Sequence, residues 1–129
     1  MRSLDTNVIV RVLLQDNVEQ ARVAAQALAE PALLLATVVL ETVWVLTGKA
    51  WSRAEIVQAL RRLLLEFEHL LIPDEDALIW ATDRFEAGGD FADLLHVGLS
   101  GQASTFATFD RKLERYCGGA PVRIELLTG

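Results

Sequence analysis

Five acidic residues, Asp5, Glu41, Asp90, Asp93 and Asp110, stand where chemistry can use them. Leu4 reads as the end of a short first strand, Asp5 as the residue at its carboxyl tip, and Val8 to Leu14 as the helix that follows. Ligand crevices of open α/β sheets lie outside the carboxyl ends of the strands. A carboxylate there faces a ligand or, equally, Asp5, Thr6 or Asn7 caps the helix. Glu41 is the only charged residue between Pro31 and Gly48, set among Val38, Val39, Leu40, Val43 and Trp44. A buried carboxylate needs a basic partner, a cation or a cavity open to water. It lies one position past the capping-box site of a helix opened by Thr37, so capping does not account for it.

Asp90 and Asp93 are three residues apart at a helix start, where negative charge meets the positive end of the macrodipole. The economical division makes Asp90 the cap and leaves Asp93 projecting from the first turn. His96 follows one turn on, as an outer support or, on the plainer reading, an ordinary core histidine. Asp110 comes directly after a strand, beside Thr108, and is either a cap or a site residue. Asp5 and Asp110 thus mark strand ends, and Glu41 and Asp93 the first turns of helices beginning at the same edge. Converging carboxylates repel unless a divalent cation neutralises them. An oxygen-only set, without a Cys or His cluster, suits Mg²⁺ or Mn²⁺ and not zinc.

The elements that must position these residues follow from pattern. Asn17, with Gln20 three residues on, opens a second helix that ends by Pro31; Leu33 to Leu35 is a buried strand; Thr37 caps a third helix reaching Thr47 and stopped by Gly48. Ser52 and Glu55 form a capping box for a fourth helix with an apolar stripe from Ile56 to Phe67. Leu70 to Ile72 is a third strand. A fifth helix begins at Asp74 and ends at Gly88-Gly89, and a sixth runs from Asp90 to Gly101. Ser104 to Ala107 is a fourth strand, Arg111 to Tyr116 a short helix, and Val122 to Leu126 a last strand. Alternating strands and helices predict an α/β fold whose mostly parallel sheet, of about five short strands, is flanked by helices.

The 129 residues fit a single domain, 1–129, without repeats or linkers. Hydrophobic residues form 52% of the chain and the mean hydropathy is +0.29, which raises the expectation of a dimer or partner surface. A net charge of −6 argues against coating nucleic acid through bulk positive charge. An enzyme that meets phosphate through a bound cation remains compatible with it. The single Cys117 forms no intrachain disulfide and fits a reducing cytosol. The start does not read as a signal peptide, and the most apolar stretch, Ala32 to Thr47, is shorter than a membrane span. A cytoplasmic protein is expected.

Taken together, Leu4-Asp5-Thr6-Asn7, the isolated Glu41, Asp90-Phe91-Ala92-Asp93 and Thr108-Phe109-Asp110 resemble the PIN-domain nucleases, and among them the VapC-type toxin ribonucleases of toxin–antitoxin pairs. The likeness covers essentially the whole chain, with the motifs in order. It implies a Rossmann-like fold, a homodimer, a Mg²⁺- or Mn²⁺-dependent endoribonuclease, an RNA substrate and a cognate antitoxin that blocks the site. It also implies that Asp5, Glu41 and Asp93 bind metal with Asp110 as a fourth member, and that Asn7 and Thr108 are polar supports. Arg11, Lys49, Arg111 and Lys112 are candidates for holding the RNA backbone. Two rivals are weighed beside it. A phosphotransferase with Asp5 as nucleophile would carry a second Asp two residues on, where this chain has Asn7. A non-catalytic domain whose acidic cleft binds an Arg-rich peptide leaves Glu41 without a purpose.

Overall fold

A computed structural model describes residues 1–129. The chain packs as two compact units, Met1–Glu75 and Asp76–Gly129. In the first, β1 (Arg2–Ser3), β2 (Ala32–Leu33) and β3 (Leu70–Leu71) form a parallel three-stranded sheet in chain order. Ser3 pairs with Leu33 and Leu33 with Leu71. The register continues one residue beyond each of the first two strands: the Leu4 amide donates to the Leu33 carbonyl (3.0 Å) and the Leu34 amide to Leu71 (2.9 Å). Leu4 and Leu34 are buried. The sheet is thereby anchored by the residues that lead into its helices.

Four helices of the first unit are α1 (Thr6–Leu14), α2 (Val18–Leu28), α3 (Ala36–Gly48) and α4 (Arg53–Leu65). Their starts follow local chemistry. Asn17 accepts from the Gln20 amide at 3.0 Å. Ser52 and Glu55 complete a reciprocal capping box, satisfying two amides that the first helical turn leaves unpaired. Ile9, Leu28, Val39, Leu46, Ile56 and Leu60 supply the buried faces. One expected cap is corrected. Thr37 lies inside α3 and is exposed; the cap residue is Leu35, which gives no side-chain bond. The chain reaches α3 straight from the buried Leu34, so sheet pairing fixes its entry and no polar cap is needed.

The second unit holds most of α5 (Glu75–Glu86), then α6 (Phe91–Gly98), β4 (Thr105–Thr108), a 3₁₀ turn at Leu113–Tyr116, and β5 (Arg123–Leu126). The helix expected from Asp74 begins one residue later, and the sixth ends at Gly98, well before Gly101. The short helix expected from Arg111 is only the 3₁₀ turn. β4 and β5 pair in parallel as a separate two-stranded sheet, with Thr108 opposite Leu126. Within each sheet the strands are thus parallel, three in the first unit and two in the second.

Backbone carbonyls at the end of the 3₁₀ turn and just after it are held by α5. Arg84 Nε donates to the Tyr116 carbonyl at 2.7 Å, and Trp80 Nε1 to Gly118 at 2.9 Å. Phe85 and Phe91 meet edge to face, with centroids 5.7 Å apart. Gly89, between α5 and α6, has no room for a side chain: a Cβ there would lie 2.7 Å from Leu94 Cδ1 and 3.1 Å from Tyr116 Cβ.

Candidate metal centre

Each unit carries part of the expected acidic set. In the first, Asp5 is the N-cap of α1, with Oδ1 accepting from the Thr6 amide at 2.9 Å. The capping alternative is thus realised, and it fixes one carboxylate oxygen of an exposed side chain. Thr6 is buried, and its hydroxyl donates to Glu41 Oε1. A hydroxyl on the first residue of α1 thereby orients a carboxylate on α3, and these two helices pack together.

Glu41 itself is exposed. It is not a charge trapped among apolar side chains, because the apolar neighbours in sequence occupy other faces of α3: Val39, Val43 and Leu46 are buried while Thr37, Glu41, Trp44 and Gly48 lie outward. Its isolation in sequence reflected a helix with one narrow polar strip. Thr6 was visible in the sequence only as a possible cap. The signal that separates it from Asn7 is position: the first residue of the helix points inward when the following apolar stripe, Ile9 and Val10, does so. Asn7 is exposed and borders a groove of about 490 Å³ between α1 and α2, together with Arg2 and Arg11.

In the second unit, Asp90 caps α6 through Oδ2, which accepts from the Asp93 amide at 3.0 Å. That division leaves Asp93, part-buried, in the first turn. Burial first, and then the negative charges of Asp90 and Asp110, raise the Asp93 carboxyl above its ordinary value, with His96 opposing. His96 is exposed and is not a core histidine. Asp110 is exposed after β4; its Oδ1 accepts from the Lys112 amide at 2.8 Å, and its own amide donates to Thr108 Oγ1 at 3.0 Å. Thr108 thus orients the backbone of Asp110, and Asp110 closes the turn that follows.

The donors are hard carboxylate oxygens, the chemistry that Mg²⁺ and Mn²⁺ prefer. Asp5, Glu41 and Asp110 each have one oxygen tied to a protein donor, which orients the other. As the side chains stand, no group of three or more His, Cys, Asp or Glu residues is gathered to hold a metal ion. The donor chemistry fits a divalent cation; a gathered ligand cluster is not present.

The PIN domain family matches residues 3–119 of the chain. Nearly the whole chain is covered, and the protein belongs to the PIN-domain family, a nuclease fold whose members are commonly metal-dependent ribonucleases. No curated protein and no solved structure matches it. No helix is long and apolar enough to cross a membrane.

Proposed function

We propose that the protein is a Mg²⁺- or Mn²⁺-dependent endoribonuclease of the VapC toxin type, acting in the cytoplasm as a homodimer and neutralised by a cognate antitoxin. One observation carries the reading: the PIN-domain match spans 3–119, and Asp5, Glu41, Asp93 and Asp110 all fall within it. The carboxylates that would bind the cation are Asp5 and Glu41 in the first unit and Asp93 and Asp110 in the second, with Asn7 and Thr108 as supports. A bound divalent cation supplies neutralisation of the phosphate's developing charge and a more acidic attacking water. The chain's own part is orientation. The Thr6 amide fixes Asp5 Oδ1, the Thr6 hydroxyl fixes Glu41 Oε1, and the Lys112 amide fixes Asp110 Oδ1. Like charge around Asp93 supplies the demand for a cation.

The test is incubation of the purified protein, freed of any co-purifying partner, with a structured RNA pool and Mg²⁺ or Mn²⁺. Cleavage is expected, and EDTA is expected to abolish it. A folded protein that neither cuts RNA nor binds either cation overturns the reading in favour of a metal-independent domain for an Arg-rich peptide. Trapping of a phospho-aspartate at Asp5 would instead select the phosphotransferase.

Thr6→Val keeps the shape of the buried side chain and removes the hydroxyl that orients Glu41. Loss of such outer-shell partners costs metal sites about 10- to 100-fold, and a reduction of that size in Mn²⁺ affinity by calorimetry is expected. Unchanged affinity would remove Glu41 from the site or Thr6 from its support.

A further inference from the structure

Three tryptophans and five phenylalanines serve this fold, and most are engaged in it. Trp80 donates its indole N–H to Gly118, Trp51 lines a groove beside α1, α2 and α4, and Phe85 pairs with Phe91. Trp44 and Phe109 are different. Trp44 is 76% exposed and Phe109 70% exposed. Rings of this size normally bury their surface, so two left open in one small chain need a reason.

In the first unit, Trp44 lies three residues beyond Glu41 on the outward strip of α3. Three residues rise roughly 4.5 Å along a helix and return to nearly the same face. The indole therefore stands one turn from the carboxylate. In the second unit, Phe109 stands between Thr108 and Asp110 in a segment fixed on both sides. The Leu127 amide donates to the Thr108 carbonyl at 2.7 Å, and Asp110 is held as described. Each unit thus has one open aromatic ring close in sequence to one of its candidate acids, Trp44 to Glu41 on α3 and Phe109 to Asp110 in the loop after β4.

The geometry points to Trp44 and Phe109, each within its own unit, as stacking platforms for unpaired RNA bases. This inference rests on the ribonuclease reading and names the form of substrate it takes. The chemistry around the rings favours bases over an apolar protein partner. Thr37, Glu41 and Gly48 share the strip with Trp44, and Lys49 follows it; Thr108, Asp110, Arg111 and Lys112 surround Phe109 in sequence. The strip around Trp44 carries no other large apolar side chain, and the cationic Arg111 and Lys112 follow Phe109, although Leu126 at the end of the paired strand and Leu127 just after it are also open. An aromatic face beside backbone-binding cations is the pattern of single-strand recognition. Bases inside a duplex have no free face, so stacking selects loops and single strands.

The test measures anisotropy of a short labelled single-stranded RNA of mixed sequence with the full chain in EDTA, where cutting is silenced. Trp44→Ala and Phe109→Ala are each expected to weaken binding by about tenfold or more. Trp44→Phe and Phe109→Tyr are expected to recover most of it. In Mg²⁺ the alanine variants should raise KM and spare kcat. Unchanged affinity in both folded alanine variants overturns the inference. So does conversion of a dimer to a monomer by Trp44→Ala with no recovery in Trp44→Phe, which would make α3 a contact between copies. RNA bound through these rings and never cut sustains the inference while the nuclease reading falls. RNA cut by both alanine variants with unaltered KM does the reverse.

Discussion

Asp93→Asn is expected to lower metal-dependent RNA cleavage by about a thousandfold or more, because a cation contributes several kcal/mol of charge stabilisation that depends on its ligands. Asp5→Asn is expected to do the same. Both changes spare the fold. Asparagine caps a helix as well as aspartate does, so the bond from the Thr6 amide survives at position 5. At position 93 the α6 cap belongs to Asp90 and is untouched. Full activity in a folded Asp93→Asn protein would sink its assignment as a ligand.

The same substitution separates site from scaffold through pH. The Asp93 carboxyl is raised in the folded protein, so the folded state holds that proton more tightly than the unfolded chain. Its contribution to stability is full below the unfolded value and is lost as pH rises through the folded one. At neutral pH, without metal, Asp93 is therefore a liability, and Asp93→Asn should melt at the same temperature as the parent or higher. That advantage should close as the pH falls through the raised value. Metal binding has the opposite dependence, since it needs the ionised form. Mn²⁺ affinity should therefore begin to weaken on acidification at a higher pH than an ordinary aspartate ligand would give. A parent protein that outlasts Asp93→Asn at neutral pH in EDTA would contradict the electrostatic account.

The second large effect is on stability. Leu94→Ala is expected to cost about 2–5 kcal/mol in denaturant unfolding, the range for emptying a fully buried leucine site. Leu94 also fills the space beside Gly89, where a Cβ would come within 2.7 Å of its Cδ1. Gly89→Ala alone is expected to cost roughly 1–3 kcal/mol by overpacking. In the Leu94→Ala background that cost should shrink, because the closest clash has gone and only Tyr116 Cβ and Cγ, at 3.1 and 3.2 Å, remain near. Strict additivity of the two changes would show that Gly89 is constrained by something other than Leu94.

Much of the fold was legible because local chemistry decides it. Asn17, Ser52 with Glu55, and Asp90 are caps in the sequence and in the structure. The division of labour between Asp90 and Asp93 follows from the three-residue spacing of a helix start. Thr37 misled because a polar residue in the first turn looks like a cap whether or not the chain enters from a buried strand. The split into three strands and two was not legible, since strands as short as Ala32–Leu33 are defined by lateral pairing and carry no pattern of their own.

Among the candidate acids, the sequence misread the surroundings of one. Glu41 attracts attention through apolar neighbours, whereas its meaning in the fold is the bond from Thr6 and its place on an outward strip. A one-dimensional reading sees composition around a residue; it cannot see which neighbour a buried hydroxyl will choose.

Cys117 has a practical use that its chemistry dictates. The thiol is buried, its Sγ donates to the Leu113 carbonyl at 3.2 Å, and burial raises its pKa above the ordinary thiol value. Thiolate is the reactive form, so alkylating reagents meet a silent group while the surrounding segment is closed. As the only cysteine in the chain, it makes the rate of labelling a clock for local opening around the 3₁₀ turn. That clock can be read without introducing a probe.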